Sequence, residues 1–207
     1  MSVKIGRMVA GYVQTNVYFV YDDETKKAIV IDPATDGKNI YDTLVDKGLD
    51  VCAICLTHGH FDHIWGVKEL KEAAGVKVYA YEAEDELLKD PEINVSLDAG
   101  RACSVTADVL FTDGEEADIE GIKFKVIYTP GHTEGSCCFY FENEKFLISG
   151  DTLFYCSCGR TDLPTGSGGK LDKSLKKLME LPEDVKVFPG HGDATTIGFE
   201  KKNNPFV

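Results

Sequence analysis

The sequence predicts an α/β fold in which two packed sheets carry helices on their outer faces. Three observations lead there. Short β-branched and aromatic runs recur along both halves of the chain. Segments with helical apolar spacing are interleaved among them, and no linker-like stretch separates the halves. At 207 residues the chain is long enough for one sizeable domain and short for two, so a single domain over 1–207 is expected.

The amino-terminal part supplies strands first. Residues 16–21 and 28–31 are rich in β-branched and aromatic side chains, with the acidic turn Asp22-Asp23-Glu24 between them. Asp32-Pro33 then breaks the run. Residues 39–47 place Ile40, Leu44 and Val45 at helical spacing and stop at Gly48. Residues 51–56 form an apolar strand that contains Cys52 and Cys55. Residues three apart on a strand point to opposite faces, so this CxxC spacing reads as buried strand rather than zinc site. Residues 64–74 predict one helix with Ile64, Val67 and Leu70 on a shared face. A strand over 76–80 and a short helix over 82–88 follow. The stretch 8–17 is expected as a loop, and strand packing is the expected role of Tyr12 and Tyr18, with contact to a bound small molecule as the alternative.

The second half repeats the style. Residues 123–128 alternate and end at Thr129-Pro130-Gly131. Residues 136–141 and 145–149 suit a hairpin around Glu142-Asn143-Glu144. Residues 166–169 suit an exposed loop. Residues 171–181 predict a helix through Leu171, Leu175, Leu178 and Met179, bounded by Pro182, and 185–188 a last strand.

Composition excludes some partners. The formal net charge is -13, and residues 82–121 hold thirteen acidic residues against two basic ones, Lys89 and Arg101. That run reads as a solvated face, and it disfavours nucleic acid and anionic membranes. Seven cysteines, with Cys137-Cys138 adjacent and Cys156-Ser157-Cys158 close, do not form a disulfide framework. Free thiols in a reducing cytoplasm are expected. Cys156 and Cys158 lie near Asp151 in sequence, and packing is the expected role, with pocket lining or redox response as the alternative. No secretory or membrane-length apolar run is visible.

The chemistry is concentrated in the five histidines. All lie in three glycine-flanked segments: Thr57-His58-Gly59-His60-Phe61-Asp62-His63, Pro130-Gly131-His132-Thr133 and Pro189-Gly190-His191-Gly192. Each segment, and Asp151 after Gly150, follows a predicted strand, so loops at the strand ends can converge on one rim. Imidazole and carboxylate donors suit zinc, iron or manganese. Asp151 has two oxygens and can reach two ions. Paired ions can acidify a water and polarise a carbonyl, which points to hydrolysis, although a redox metal would allow oxygen chemistry.

The pattern T-H-x-H-x-D-H, with the later P-G-H-T, G-D and P-G-H-G segments, resembles the metallo-β-lactamase superfamily over nearly the whole chain. The resemblance implies a four-layer αββα sandwich with a two-metal site at one edge of the sheets. It implies His58, His60, His132 and Asp151 on one ion, and Asp62, His63, His191 and again Asp151 on the other, with Asp62 also a candidate catalytic residue. Zinc is the expected metal, with iron or manganese as alternatives. Within the superfamily the chain is most similar to glyoxalase II and its single-domain relatives. The segments that carry this are 130–136, 149–154, Gly159-Arg160-Thr161-Asp162-Leu163-Pro164 and 195–206.

That likeness implies hydrolysis of a small thioester by a metal-activated water. A thiolate leaves, and its pKa of about 8.5 removes the need for a separate acid. Two-domain glyoxalase II enzymes continue into a helical domain that helps bind glutathione, whereas this sequence stops at Val207. Their lysine-tyrosine glutathione contact is not evident either, since Arg160 and Asp162 occupy that region. Thioesterase chemistry is therefore expected ahead of glutathione specificity. Arg160 suits a clamp for a substrate carboxylate, or a tie to Asp162. The runner-up is a mononuclear iron persulfide dioxygenase of the same superfamily. A nuclease or a binding module without activity ranks lower.

Overall fold

A computed structural model describes residues 3–207 and has the α/β architecture in four layers. Strands β1 (Val3–Ala10), β2 (Thr15–Asp22) and β3 (Lys27–Ile31) run antiparallel to one another. Helix α1 (Gly37–Asp46) then crosses to β4 (Asp50–Cys55), which lies parallel to β3. Helices α2 (Phe61–Ile64) and α3 (Val67–Ala74) lead to β5 (Lys77–Tyr81), and a 3-10 turn (Glu82–Glu84) with α4 (Asp85–Lys89) leads towards β6 (Val109–Phe111). The six strands form one sheet in sequence order.

The second sheet starts with β7 (Glu116–Ile119), β8 (Ile122–Tyr128), β9 (Cys137–Phe141) and β10 (Phe146–Gly150), all antiparallel. A small hairpin, β11 (Leu153–Phe154) and β12 (Ser157–Cys158), follows, then helix α5 (Gly168–Leu178). Strand β13 (Lys186–Pro189) joins β10 in parallel, β14 (Thr195–Thr196) closes that edge, and α6 (Ile197–Asn203) ends the chain's regular structure.

Alternation along the strands makes the layers. Ile29 and Ile31 of β3 face the second sheet, where they meet Phe124, Phe139 and Phe141. Ala28 and Val30 of the same strand face the other way, towards Leu44 of α1 and Leu70 of α3. On the far side, Leu147 and Val187 are covered by Leu171, Leu175 and Leu178 of α5 and Ile197 of α6. Each such valine, leucine, isoleucine or phenylalanine contributes about 1.5–3 kcal/mol on burial.

Several expectations need correction. Residues 8–17 are not a loop: Met8 and Val17 belong to β1 and β2, and only a tight turn separates the strands. Tyr12, in that turn, is 70% exposed and lies over Phe61 and Trp65, whereas Tyr18 is strand packing as expected. Residues 168–169 are helical rather than loop, and α5 ends at Leu178. A bulge opposite Ala28 and Ile29 leaves Cys52 outside the pairing of β4. Cys52 therefore packs against the same inter-sheet core as Cys55, not on the opposite face. Glu84, counted in the acidic face, is buried. All seven cysteines are free thiols, and no helix among the described residues is long and apolar enough to cross a membrane.

The helix predicted over 64–74 is interrupted at Trp65 and Gly66. There the chain passes so close to Pro33 that a Cβ on Gly66 would strike its carbonyl oxygen, and a Cβ on Gly37 would strike the carbonyl of Gly66. Helix-period patterning does not register a backbone approach of this kind. Gly66→Ala should therefore cost about 1–3 kcal/mol of stability through overpacking. Denaturant unfolding reads this directly, and an unchanged midpoint would contradict the close approach.

Candidate metal centre

All seven metal-ligating candidates lie beyond strand ends on one edge of the two sheets. His58, His60, Asp62 and His63 follow β4, His132 follows β8, Asp151 follows β10 and His191 follows β13. Strand β2 ties the two sheets together at this edge. Asn16 donates its backbone N–H to Gly190 O (2.7 Å), and its amide reaches Pro189 O and Gly192 O. The Tyr18 hydroxyl donates to Pro189 O. Gly190 is required where it stands, because a Cβ there would run into the Asp151 carboxylate.

Hydrogen-bond accounting fixes which nitrogens face inwards. Asp32, buried at the end of β3, accepts the Thr57 N–H (2.8 Å), the Thr57 hydroxyl (2.6 Å) and the His63 Nδ1–H (3.0 Å). The Thr57 hydroxyl proton is thus committed, and its oxygen is left to accept from His58 Nδ1 at 3.2 Å. His132 Nδ1 donates to Arg160 O at 2.8 Å. In all three rings Nε2 is then the nitrogen directed into the site.

The donors fit a pair of metal ions. Among the described residues only four buried side-chain polar atoms lack a hydrogen-bond partner, and three are here: His58 Nε2, His60 Nε2 and Asp151 Oδ1. Metal bonds of about 2.0–2.2 Å put tetrahedral donors about 3.3–3.6 Å apart. His63 Nε2 lies 3.4 Å from His191 Nε2, 3.5 Å from Asp62 Oδ2 and 3.5 Å from Asp151 Oδ1. His191 Nε2 lies 3.2 Å from Asp62 Oδ2 and 3.4 Å from Asp151 Oδ2. These spacings are long for hydrogen bonds and suit the edges of a coordination shell. On the other side, His58, His60 and His132 bring donors within 4.8 Å of one another, and Asp151 Oδ2 is 3.6 Å from His132 Nε2. His60 Nδ1 lies 2.8 Å from His132 Nε2, a hydrogen-bond distance that is too short for such an edge. Asp151 faces both groups.

The two groups differ electrostatically. Burial, reinforced by neighbouring histidines, pushes His58 well below the ordinary imidazole range and His60 down to about 3. Both are neutral donors. Burial would also depress His63 and His191, but the carboxylates around them prevail: Asp62 and Asp151 for both, with Asp32 added at His63. They rise to about 9 and about 10. Burial would raise Asp62 and Asp151, yet His63 and His191 hold both below the usual carboxylate range. The carboxylates of this half demand positive charge.

A cavity of about 530 Å³ opens onto the donors. Val13, Phe61, Phe154 and Leu163 give it apolar walls, and Cys158 and Arg160 also line it. Cys158 thus reaches the cavity, where packing was the expected role, whereas Cys156 is not among its lining residues. The Arg160 guanidinium grips Asp162 through Nε and NH2, at 2.6 and 2.7 Å.

Three supporting residues escaped the sequence reading. Thr15 donates its hydroxyl to Asp62 Oδ2 at 2.9 Å. In sequence Asp32 reads as a strand breaker, and an acidic residue closing an apolar strand is its one visible signal. Glu84 accepts the N–H of Gly59 and of Gly135 and the Thr133 hydroxyl, and burial pushes its carboxyl up to about 7. Asp32→Asn would set an amide N–H against His63 Nδ1 and reverse that ring's tautomer. Loss of such an orienting partner should lower metal affinity about 10–100-fold, as read by competition with a chelator. Wild-type affinity in this variant would refute the orienting role.

Comparison with known proteins agrees with this geometry. The sequence profile described as the Metallo-beta-lactamase superfamily matches residues 10–191. The probable metallo-hydrolase YqgX of Bacillus subtilis is 36% identical over 99% of this chain and 98% of its own length. Hydroxyacylglutathione hydrolase GloC of Haemophilus influenzae is 34% identical over 94% and 93%. Among solved structures, the BLEG-1 B3 metallo-beta-lactamase superposes with a TM-score of 0.93 at 39% identity, covering 98% of this chain and 99% of its own. TTHA1623 in a di-iron-bound form gives 0.86 at 34%, covering 98% and 100%. ETHE1 from Myxococcus xanthus gives 0.81 at 26%, covering 98% and 83%. With fold, motif order and donor cluster in agreement, the chain belongs to the metallo-beta-lactamase superfamily, and its kinship is with that superfamily's metallo-hydrolases.

Proposed function

We propose that this metallo-hydrolase cleaves small acyl-thioesters, in the manner of a hydroxyacylglutathione hydrolase. His58, His60, His132 and Asp151 would hold one ion, and Asp62, His63, His191 and Asp151 the other. Zinc is our first choice, with iron or manganese as alternatives. Such a pair, when bound, supplies an acidified water and a Lewis acid for the acyl oxygen. One observation carries the thioester reading. Apart from the seven donor candidates, the residues lining the cavity include no group suited to protonate a leaving atom. Burial raises the Cys158 thiol, and Arg160 stays charged. A leaving group that departs without a proton must be a weak base, and a thiolate is one.

The protein's own groups have separable tasks. Asp62, kept ionised and held by Thr15, can accept a hydrogen bond from the attacking water and so orient it. Val13, Phe61, Phe154 and Leu163 would enclose the acyl group and keep bulk water from it. The GloC likeness supports this reading. The ETHE1 likeness supports the second one, oxygen-dependent persulfide oxidation at a single iron. The full second donor group, Asp62, His63 and His191, favours two ions and hydrolysis.

Metal-loaded protein should hydrolyse S-lactoylglutathione or a simple acyl-thioester faster than a β-lactam, and should consume no oxygen with glutathione persulfide. Chelation, His60→Ala and Asp151→Ala should each remove turnover while the protein stays folded. One iron per chain with sulfite formation would defeat the proposal, as would near-normal activity of either variant.

Arg160 has one guanidinium nitrogen not engaged by Asp162, available to a carboxylate on the thiol carrier. Arg160→Ala should raise KM about tenfold for a carboxylate-bearing thioester and leave kcat nearly unchanged. An unaltered KM would reduce Arg160 to a tie for its own loop.

A further inference from the structure

We propose that Glu84 is a positioning residue that locks together the two loops presenting His58, His60 and His132. The inference rests on the proposed metal-binding role of those histidines and not on the thioester reading.

The side chain of Glu84 is buried at the 3-10 turn after β5, and among the described residues no lysine or arginine pairs with it. Its partners are a backbone N–H at Gly59 (2.7 Å), a backbone N–H at Gly135 (2.8 Å) and the Thr133 hydroxyl (3.0 Å). Gly59 stands between His58 and His60. Thr133 follows His132, and Gly135 closes the same turn. One carboxylate therefore joins the loop after β4 to the loop after β8. Those are the loops whose imidazoles oppose each other, with His58 and His132 ring centres 4.7 Å apart and His60 and His132 4.6 Å apart.

The contact is close-packed as well as hydrogen-bonded. A Cβ on Gly135 would strike the Glu84 backbone, and one on Gly59 would come within 2.6 Å of Leu87 and 2.8 Å of Leu88. The turn carrying Glu84 is thus pressed against the loop after β8, and α4, which continues from it, is pressed against the loop after β4. A carboxylate buried without a cation is costly to the fold. A carboxylate serving only its own helix would bond that helix, and this one bonds none of it. Its reach is also one-sided. It hydrogen-bonds neither Asp62, His63 nor His191, and His63 is braced from elsewhere by Asp32. Glu84 should accordingly govern one metal position and spare the other.

Glu84→Gln preserves shape but cannot accept all three bonds, because in either amide orientation an N–H faces a backbone N–H. The test is cobalt(II) affinity, measured by chelator competition in the full chain in two backgrounds. His191→Ala leaves the position formed by His58, His60 and His132, and there Glu84→Gln should weaken binding about 10–100-fold. His58→Ala leaves the position formed by Asp62, His63 and His191, and there the change should stay within about threefold. If Glu84→Gln does not fold, Thr133→Val removes one of the three bonds. It should give about a 3–10-fold loss in the first background alone. Equal losses in both backgrounds, or no loss in the His191→Ala background, would overturn the assignment. Because no thioester is present, a wrong reading of the substrate cannot produce either result.

Discussion

The buried carboxylate of Asp32 is the contact on which the centre depends. Strands β3 and β4 run parallel with Ile31 opposite Cys55, so the residue after β3 lies beside the start of the loop after β4. Asp32 turns there with φ of 51°, a left-handed conformation that aspartate tolerates better than most residues. Its oxygens then meet the Thr57 N–H, the Thr57 hydroxyl and His63. Sheet register thereby decides ring chemistry. The commitment of the Thr57 hydroxyl makes His58 donate from Nδ1, and His63 donates from Nδ1 directly. Both rings turn Nε2 towards the same space. A shift of one residue between β3 and β4 would undo both assignments.

The legible parts of the fold are those whose apolar period is long and undisturbed. Strands β2 to β5 and β8 to β10 and helices α1 and α5 were all foreseeable within a few residues. Strand β1 was not, because Lys4, Gly6 and Arg7 dilute its pattern and it pairs on one side only. Gly66 looked like an ordinary helical position because its restriction comes from Pro33, a residue far from it in sequence. Cys52 departs from face alternation for a related reason: alternation requires an unbroken ladder, and the bulge at Cys52 breaks it.

Convergence of the histidines was legible because each of their segments comes shortly after a strand, and strand ends share an edge. The supports were not. Asp32, Glu84 and Thr15 are common residue types whose partners lie between 25 and 51 positions away. Glu84 was further hidden by counting. Thirteen acidic residues in one run suggest a solvated face, and a sum over the run cannot show that one member is buried between two loops. Charge density describes a surface, whereas the environment of a single carboxylate is set by tertiary contacts.

The charge pattern separates a metal centre from a mere cluster of ion pairs. Around Asp62 and Asp151, protons on His63 and His191 can supply the missing positive charge. Ion pairing alone would account for that half. It does not account for His58 and His60, whose buried Nε2 atoms have no partner and whose protonation is suppressed by burial. A proton cannot satisfy these lone pairs at neutral pH, and a buried polar atom left unpaired is costly. A cation that accepts lone pairs relieves both halves: it meets the donors that protons avoid, and it replaces the charge that protons otherwise supply.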